Sequence, residues 1–257
     1  VSTDGSSRER VLVPPGWVGP WGIACDPSGT ALVVDGLSLA ALDPRGRISH
    51  IGSPLDKSAP RFVRAVASGS PGEMLMTTAR GDVLRYQIAN GQTRMQAQKL
   101  GELKGLCAGP GGQVFAVRAG DGAILAIDDA GSARVLASGL NHPTDVLCIE
   151  DILYVAEAGA GRVVRIQDGA VSTVIGGLGN PRGLACAHGR LHVLDRGRRA
   201  LLTRPLDGGG EGVAIAENLP IGAACPLDFA GGLSVDHRGG LLIAADGEGS
   251  VLRLSPA

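Results

Sequence analysis

The chain has 257 residues, a formal net charge of -1, 44% apolar residues and 3% aromatics. That balance excludes long-range electrostatic attraction to nucleic acid or to an anionic membrane, and the apolar content, arranged in alternating runs, excludes a disordered chain. No run of about 18 apolar residues is present that would read as a membrane-spanning helix, and Val1 to Arg10 is too polar for a signal peptide. The absence of an initiating Met points to a processed chain or a piece excised from a longer one. Five cysteines without a C-x-x-C pair favour a reducing compartment such as the cytoplasm.

In chain order, one unit of about 40 residues is used six times, the signature of an array in which no unit buries its apolar face alone. Arg10 to Val13 has strand character and precedes the first unit. Related blocks then follow at Pro20 to Asp26, Val63 to Ala67, Leu103 to Cys107, Pro143 to Cys148, Pro181 to Cys186 and Ala230 to Asp236. Within the fourth unit the alternation predicts strands at Asp145 to Ile149, Ile152 to Glu157, Arg162 to Gln167 and Val171 to Ile175, joined by Gly- and Asp-rich turns. The last unit stops one strand short.

Four short antiparallel strands per unit, with no helical period, predict an all-β, six-bladed β-propeller of four-stranded blades. Its blades span about 17–55, 60–100, 101–140, 141–178, 179–217 and 226–257, within a single domain covering 1–257. The strand at 10–13 would complete the last blade and close the ring, removing two sheet edges. Asn218 to Phe229 lengthens the approach to the last blade and is a candidate lid. Cys25, Cys148 and Cys186 fall at equivalent places and read as small core residues rather than as a redox or metal set.

The pattern Pro-x-Gly-Leu/Ile-Ala followed by a Gly turn and Leu-Tyr/His-Val-x-Asp/Glu, as in Pro181 to Ala185 and Leu191 to Asp195, resembles the NHL-repeat propellers. More loosely it resembles the six-bladed gluconolactonase and senescence-marker family. The resemblance covers nearly the whole chain and implies a fold rather than an activity, because blade-building residues are shared by binders, lyases and lactonases. In the gluconolactonase family it implies a catalytic metal held by Glu, Asn and Asp at the positions that lead into the blades. Here that lead-in ring reads Trp21, Arg64, Lys104, Thr144, Arg182 and Gly231, which lacks the oxygen ligands a hard divalent cation requires.

The ring where second strands exit on the same face reads Asp35, Thr78, Arg118, Glu157, Asp195 and Asp246. The cations of the lead-in ring, with Arg118 behind them, suit a carboxylate or phosphate ligand, although mutual pairing with the exit acids is the stronger reading of these charges. Asp145 replaces the Gly of the repeat and could share a divalent cation with Glu157 and Asp195, but acids that end second strands commonly bind backbone N–H groups instead. No metal or other cofactor is expected.

Three functions follow from these residues. The favoured one is a non-catalytic binding propeller that presents its loop face and channel to a protein or a small anionic ligand, through Trp21, Arg64, Lys104, Arg118, Thr144, Asp145, Arg182 and Asp195. The alternative is a lyase, hydrolase or isomerase at the channel mouth, with His142 or Glu157 as acid or base; the histidines at 50, 188, 192 and 237 lie elsewhere. The third is single-stranded RNA binding through Arg196, Arg198 and Arg199, which the shortage of stacking aromatics beyond Trp17 and Trp21 disfavours.

Overall fold

The computed structural model describes residues 7–11, 19–36, 38–52, 62–207, 210–222 and 231–255. Trp17, most of the candidate lid at Asn218 to Phe229, and the side chain of His50 lie outside the described residues.

The described residues form six four-stranded antiparallel sheets. The opening strand β1 (Ser7–Val11) is followed by blade 1 with β2 (Pro20–Cys25), β3 (Ala31–Asp35), β4 (Ser38–Leu42) and β5 (Ile48–Gly52). Blade 2 holds β6 (Val63–Ser68), β7 (Glu73–Thr78), β8 (Val83–Gln87) and β9 (Thr93–Ala97). Blade 3 holds β10 (Leu103–Ala108), β11 (Val114–Arg118), β12 (Ala123–Ile127) and β13 (Ala133–Ala137), with a 3-10 turn at Pro110–Gly112. Blade 4 holds β14 (Pro143–Ile149), β15 (Ile152–Glu157), β16 (Arg162–Gln167) and β17 (Ala170–Ile175). Blade 5 holds β18 (Pro181–Ala187), β19 (Arg190–Asp195), β20 (Ala200–Pro205) and β21 (Val213–Ala216), and blade 6 holds β22 (Leu233–Val235), β23 (Leu241–Ala245) and β24 (Ser250–Ser255).

Blade 6 is completed by β1, which runs antiparallel to β24 from Ser7 opposite Ser255 to Val11 opposite Val251. The ring therefore closes as the sequence predicts, but the closing strand starts three residues before Arg10. Leu12 and Val13, which were expected in it, lie outside the described residues.

The core is a ring of six interfaces between neighbouring blades. On β3, Ala31 and Val33 pack with Leu242, Ala244 and Val251 of blade 6, whereas Leu32 and Val34 pack with Met74 and Met76 of blade 2. The period of two thus feeds two cores at once, which is why the second strands read as continuous apolar runs. Blades 2 to 5 also hold the segments that lead out of them through a hairpin backbone: the carbonyls of Gly81, Gly122, Gly161 and Arg199 accept from the N–H groups of Leu100, Leu140, Leu178 and Leu219. At Gly122, φ is +62° and a Cβ would lie 2.0 Å from the Leu140 carbonyl oxygen, so only glycine fits there.

Candidate functional site

A single local irregularity positions the lead-in ring. In blades 1, 2, 4 and 5 the register of the first two strands slips between Pro20 and Gly22, Val63 and Ala65, Pro143 and Asp145, and Pro181 and Gly183. In blade 3 it slips between Leu103 and Leu106. The extra residue is a β-bulge, and bulges re-aim side chains that a regular ladder would hold on the sheet face. Trp21, Arg64, Thr144 and Arg182 sit at these bulges, and Lys104 lies within the slipped segment of blade 3. The alternation of residues indicated strands there but carried no sign of the bulge, so the first strand of blade 4 begins at Pro143 rather than at Asp145.

The ring is not uniform. Trp21, Arg64 and Arg182 are half-buried, whereas Lys104 and Thr144 are buried. Thr144 Oγ1 donates 2.9 Å to the Pro181 carbonyl of the next blade, a packing role. Arg182 Nε donates to Asn180 Oδ1 at 2.8 Å, which holds the guanidinium beside the approach to blade 5.

The exit acids have a common job. Asp35 Oδ1 accepts from Gly19 N–H at 2.8 Å, and Glu157 Oε1 from Asn141 N–H at 2.7 Å. Asp195 accepts from Gly179 and Asn180 N–H at 2.7 Å each, and from Gly197 at 3.0 Å and Arg198 at 3.2 Å. Asp246 Oδ1 accepts from Gly222 N–H at 3.2 Å. Each buried acid pins the loop that leads into its own blade. Glu157 is further paired with Arg162 at 2.5 Å, Asp246 with Arg196, and Asp195 lies 3.7 Å from Arg198. Arg118 is committed to Asp121 at 2.6 Å, which lowers the Asp121 pKa below its ordinary value.

His142 stands apart, exposed on the lead-in loop with φ +46°, its carbonyl accepting from Ala158 N–H at 3.1 Å. Among the described residues no group of three or more His, Cys, Asp and Glu side chains is disposed to hold a metal ion, so Asp145, Glu157 and Asp195 are not brought together as a ligand set. In the basic hairpin, Arg196 pairs with Asp246, Arg198 donates to the Gly177 carbonyl and Arg199 to the Leu219 carbonyl. No helix among the described residues is long and apolar enough to cross a membrane.

The central channel holds a cavity of about 380 Å3 walled by the first strands of all six blades. Of the ten candidate side chains only Asp145 lines it. The carboxylate accepts from Val146 N–H at 3.0 Å and Leu184 N–H at 2.9 Å, bridging blades 4 and 5. Burial, opposed by those two N–H groups, pushes its pKa up to about 7. A Cβ at Gly105 would lie 2.2 Å from Asp145 Oδ1, so the glycine of blade 3 makes room for the acid of blade 4.

No family model matches the chain, and no curated protein matches it. Solved structures do. A calcium-binding protein, regucalcin, from Agrobacterium tumefaciens superposes with a TM-score of 0.74 at 17% identity, over 97% of this chain and 94% of its own. Virginiamycin B lyase from Staphylococcus aureus gives 0.70 at 13% identity, over 98% and 100% of the two chains. A chain of a nidogen–laminin complex gives 0.69 at 15% identity, over 86% of each. The chain is a six-bladed β-propeller. At such identities the likeness fixes architecture and leaves activity to the site, since this fold serves a lyase, a calcium binder and a protein complex alike.

The sequence reading missed the thiols as part of the channel. All four described cysteines, Cys25, Cys107, Cys148 and Cys186, line its cavity and are free, and the first three pack among core residues. Burial raises the Cys25 thiol to about 12 and the Cys107 thiol well above its ordinary value. Their recurrence at the ends of first strands was the available signal: those ends converge on the channel floor.

Proposed function

We propose that the chain is a non-catalytic binding propeller that takes a small anionic ligand at the lead-in mouth of its channel. What supports this reading is the repeated bulge, at which Arg64, Lys104 and Arg182 of three blades and Trp21 of a fourth hold equivalent places in their first strands. Guanidinium groups suit forked contacts with carboxylate or phosphate, and the indole offers a flat apolar wall beside them.

An acid–base enzyme draws less support from the same geometry, because Glu157 is occupied by Asn141 and Arg162. RNA binding draws less as well, since the three arginines of the basic hairpin are directed at neighbouring loops. Isothermal titration with citrate tests the proposal. Arg64→Ala/Arg182→Ala should weaken citrate binding by about tenfold or more while the circular dichroism spectrum is kept. Unchanged binding in the double variant would remove the proposed site.

A further inference from the structure

Between the bulge ring and the far face of the channel, the repeat breaks at one place. The residue following the bulge is Gly22 in blade 1, Ala65 in blade 2 and Gly183 in blade 5, and the corresponding residue of blade 3 is Gly105. In blade 4 it is Asp145. A carboxyl group has therefore been placed where other blades supply no side chain or a methyl group. It is more than nine-tenths buried and it lines the cavity. Burial and two backbone N–H donors account for its surroundings, and among the described residues no cation acts on it. Two donors leave about half of the acceptor sites of a carboxylate open.

The rest of the wall is mainly aliphatic and thiol, including Ala65, Ala185 and Leu184, with Ser68 and Ser234 also among the lining residues. Towards the ends of the first strands the lining becomes more open, with Ala108 exposed and Ser68 and Cys148 half-buried. The cavity volume, about 380 Å3, lies in the range that encloses small organic ligands. One isolated carboxylate does not supply the several oxygen ligands that a hard metal ion requires. A mainly aliphatic and thiol wall with one acid among its lining residues instead matches a compact organic cation.

We propose that this lower channel is a second binding site, distinct from the anion site at the lead-in mouth, for a small primary ammonium carried on a compact apolar body. Asp145 pairs with the ammonium at the inner end, and the aliphatic and thiol walls take the hydrocarbon. The isolated acid makes the site selective: burying a cation beside it completes an ion pair, whereas a neutral ligand leaves the acid alone.

Cyclohexylammonium is a suitable probe and cyclohexanol its neutral counterpart. Titrated into the full chain, cyclohexylammonium should shift the backbone amide resonances of Val146 and Leu184, the two donors to Asp145, with the millimolar affinity expected of so small a ligand. Asp145→Asn should weaken binding by about tenfold or more. Ala108→Phe, which fills the exposed end of the cavity without touching the acid, should weaken it too and decides the matter if the Asn variant does not fold. Cyclohexanol should bind more weakly than the ammonium. The proposal is overturned if the amides do not move up to about 50 mM probe, if both folded variants bind as wild type does, or if cyclohexanol binds equally well. Citrate binding is unaffected by any of these outcomes, so this site and the anion site stand or fall separately.

Discussion

Replacing Asp145 by Asn should change how stability depends on pH more than it changes stability itself. The wild-type carboxyl titrates at about 7 in the folded chain against an ordinary value of 3.8. Its folded pKa is raised, so the folded state holds the proton more tightly than the unfolded state does. Its stabilising contribution is complete below the unfolded pKa and is lost as pH rises through the folded one. Between pH 4.5 and 8 the loss amounts to roughly 3 kcal/mol, from 1.36 kcal/mol per unit integrated over that interval. Asn keeps one acceptor oxygen for Leu184 or Val146 but loses the other hydrogen bond, a pH-independent cost of about 1–2 kcal/mol. His192, buried and lowered to about 4, moves stability the opposite way over part of the interval, but it is common to both proteins and cancels in their difference. Urea unfolding of both proteins at pH 4.5, 6 and 8 measures that difference. The variant should be the less stable at pH 4.5 and should gain on wild type by roughly 3 kcal/mol by pH 8. Parallel profiles would refute the assignment of an isolated buried acid.

Arg85 is buried and donates to Glu73 at 2.5 Å, Gln96 at 2.8 Å and the Gly112 carbonyl at 2.5 Å, tying blade 2 to blade 3. Arg85→Ala should cost about 3–5 kcal/mol in urea unfolding by stranding Glu73, whereas a loss below about 1 kcal/mol would mean the network is not formed. Gly122→Ala forces a Cβ towards the Leu140 carbonyl at positive φ and should cost roughly 2–4 kcal/mol in the same assay, against almost nothing for Gly120→Ala, where φ is not positive and the space is open. Iodoacetamide at pH 8, read by peptide mass spectrometry, should label half-buried Cys148 and Cys186 before Cys25 and Cys107. Early labelling of Cys25 would contradict its placement in the blade 1 and blade 6 core.

The architecture was readable in the sequence because a propeller is built from local, repeated contrasts. Strand alternation at Ile152 to Glu157 and Arg162 to Gln167, and the glycines of the hairpins, recur often enough to define blade boundaries and even the borrowed outer strand. The site was less readable, because what governs it are small departures from the repeat. A bulge changes register by one residue without altering the apolar pattern, so the lead-in ring could be named while the means by which Arg64 or Arg182 is aimed could not. The exit acids were visible as candidates, yet only the positions of Gly19, Asn141 and Asn180 N–H reveal that they hold loops. Asp145 stood out as a substitution for glycine. That it lines a cavity, away from Glu157 and Asp195 as a ligand set, depends on three blades meeting around it.

The central proposal is that the channel mouth binds through its bulge-borne cations, whereas Glu157 holds the loop that leads into its blade and His142 takes no part in binding. Citrate titration of wild type, Arg64→Ala/Arg182→Ala, His142→Ala and Glu157→Gln, each checked for folding, tests this most directly. The account predicts that binding is weakened by about tenfold or more in the arginine double variant and kept within about twofold in the other two. Binding that survives loss of both arginines but fails with His142 or Glu157 would contradict it.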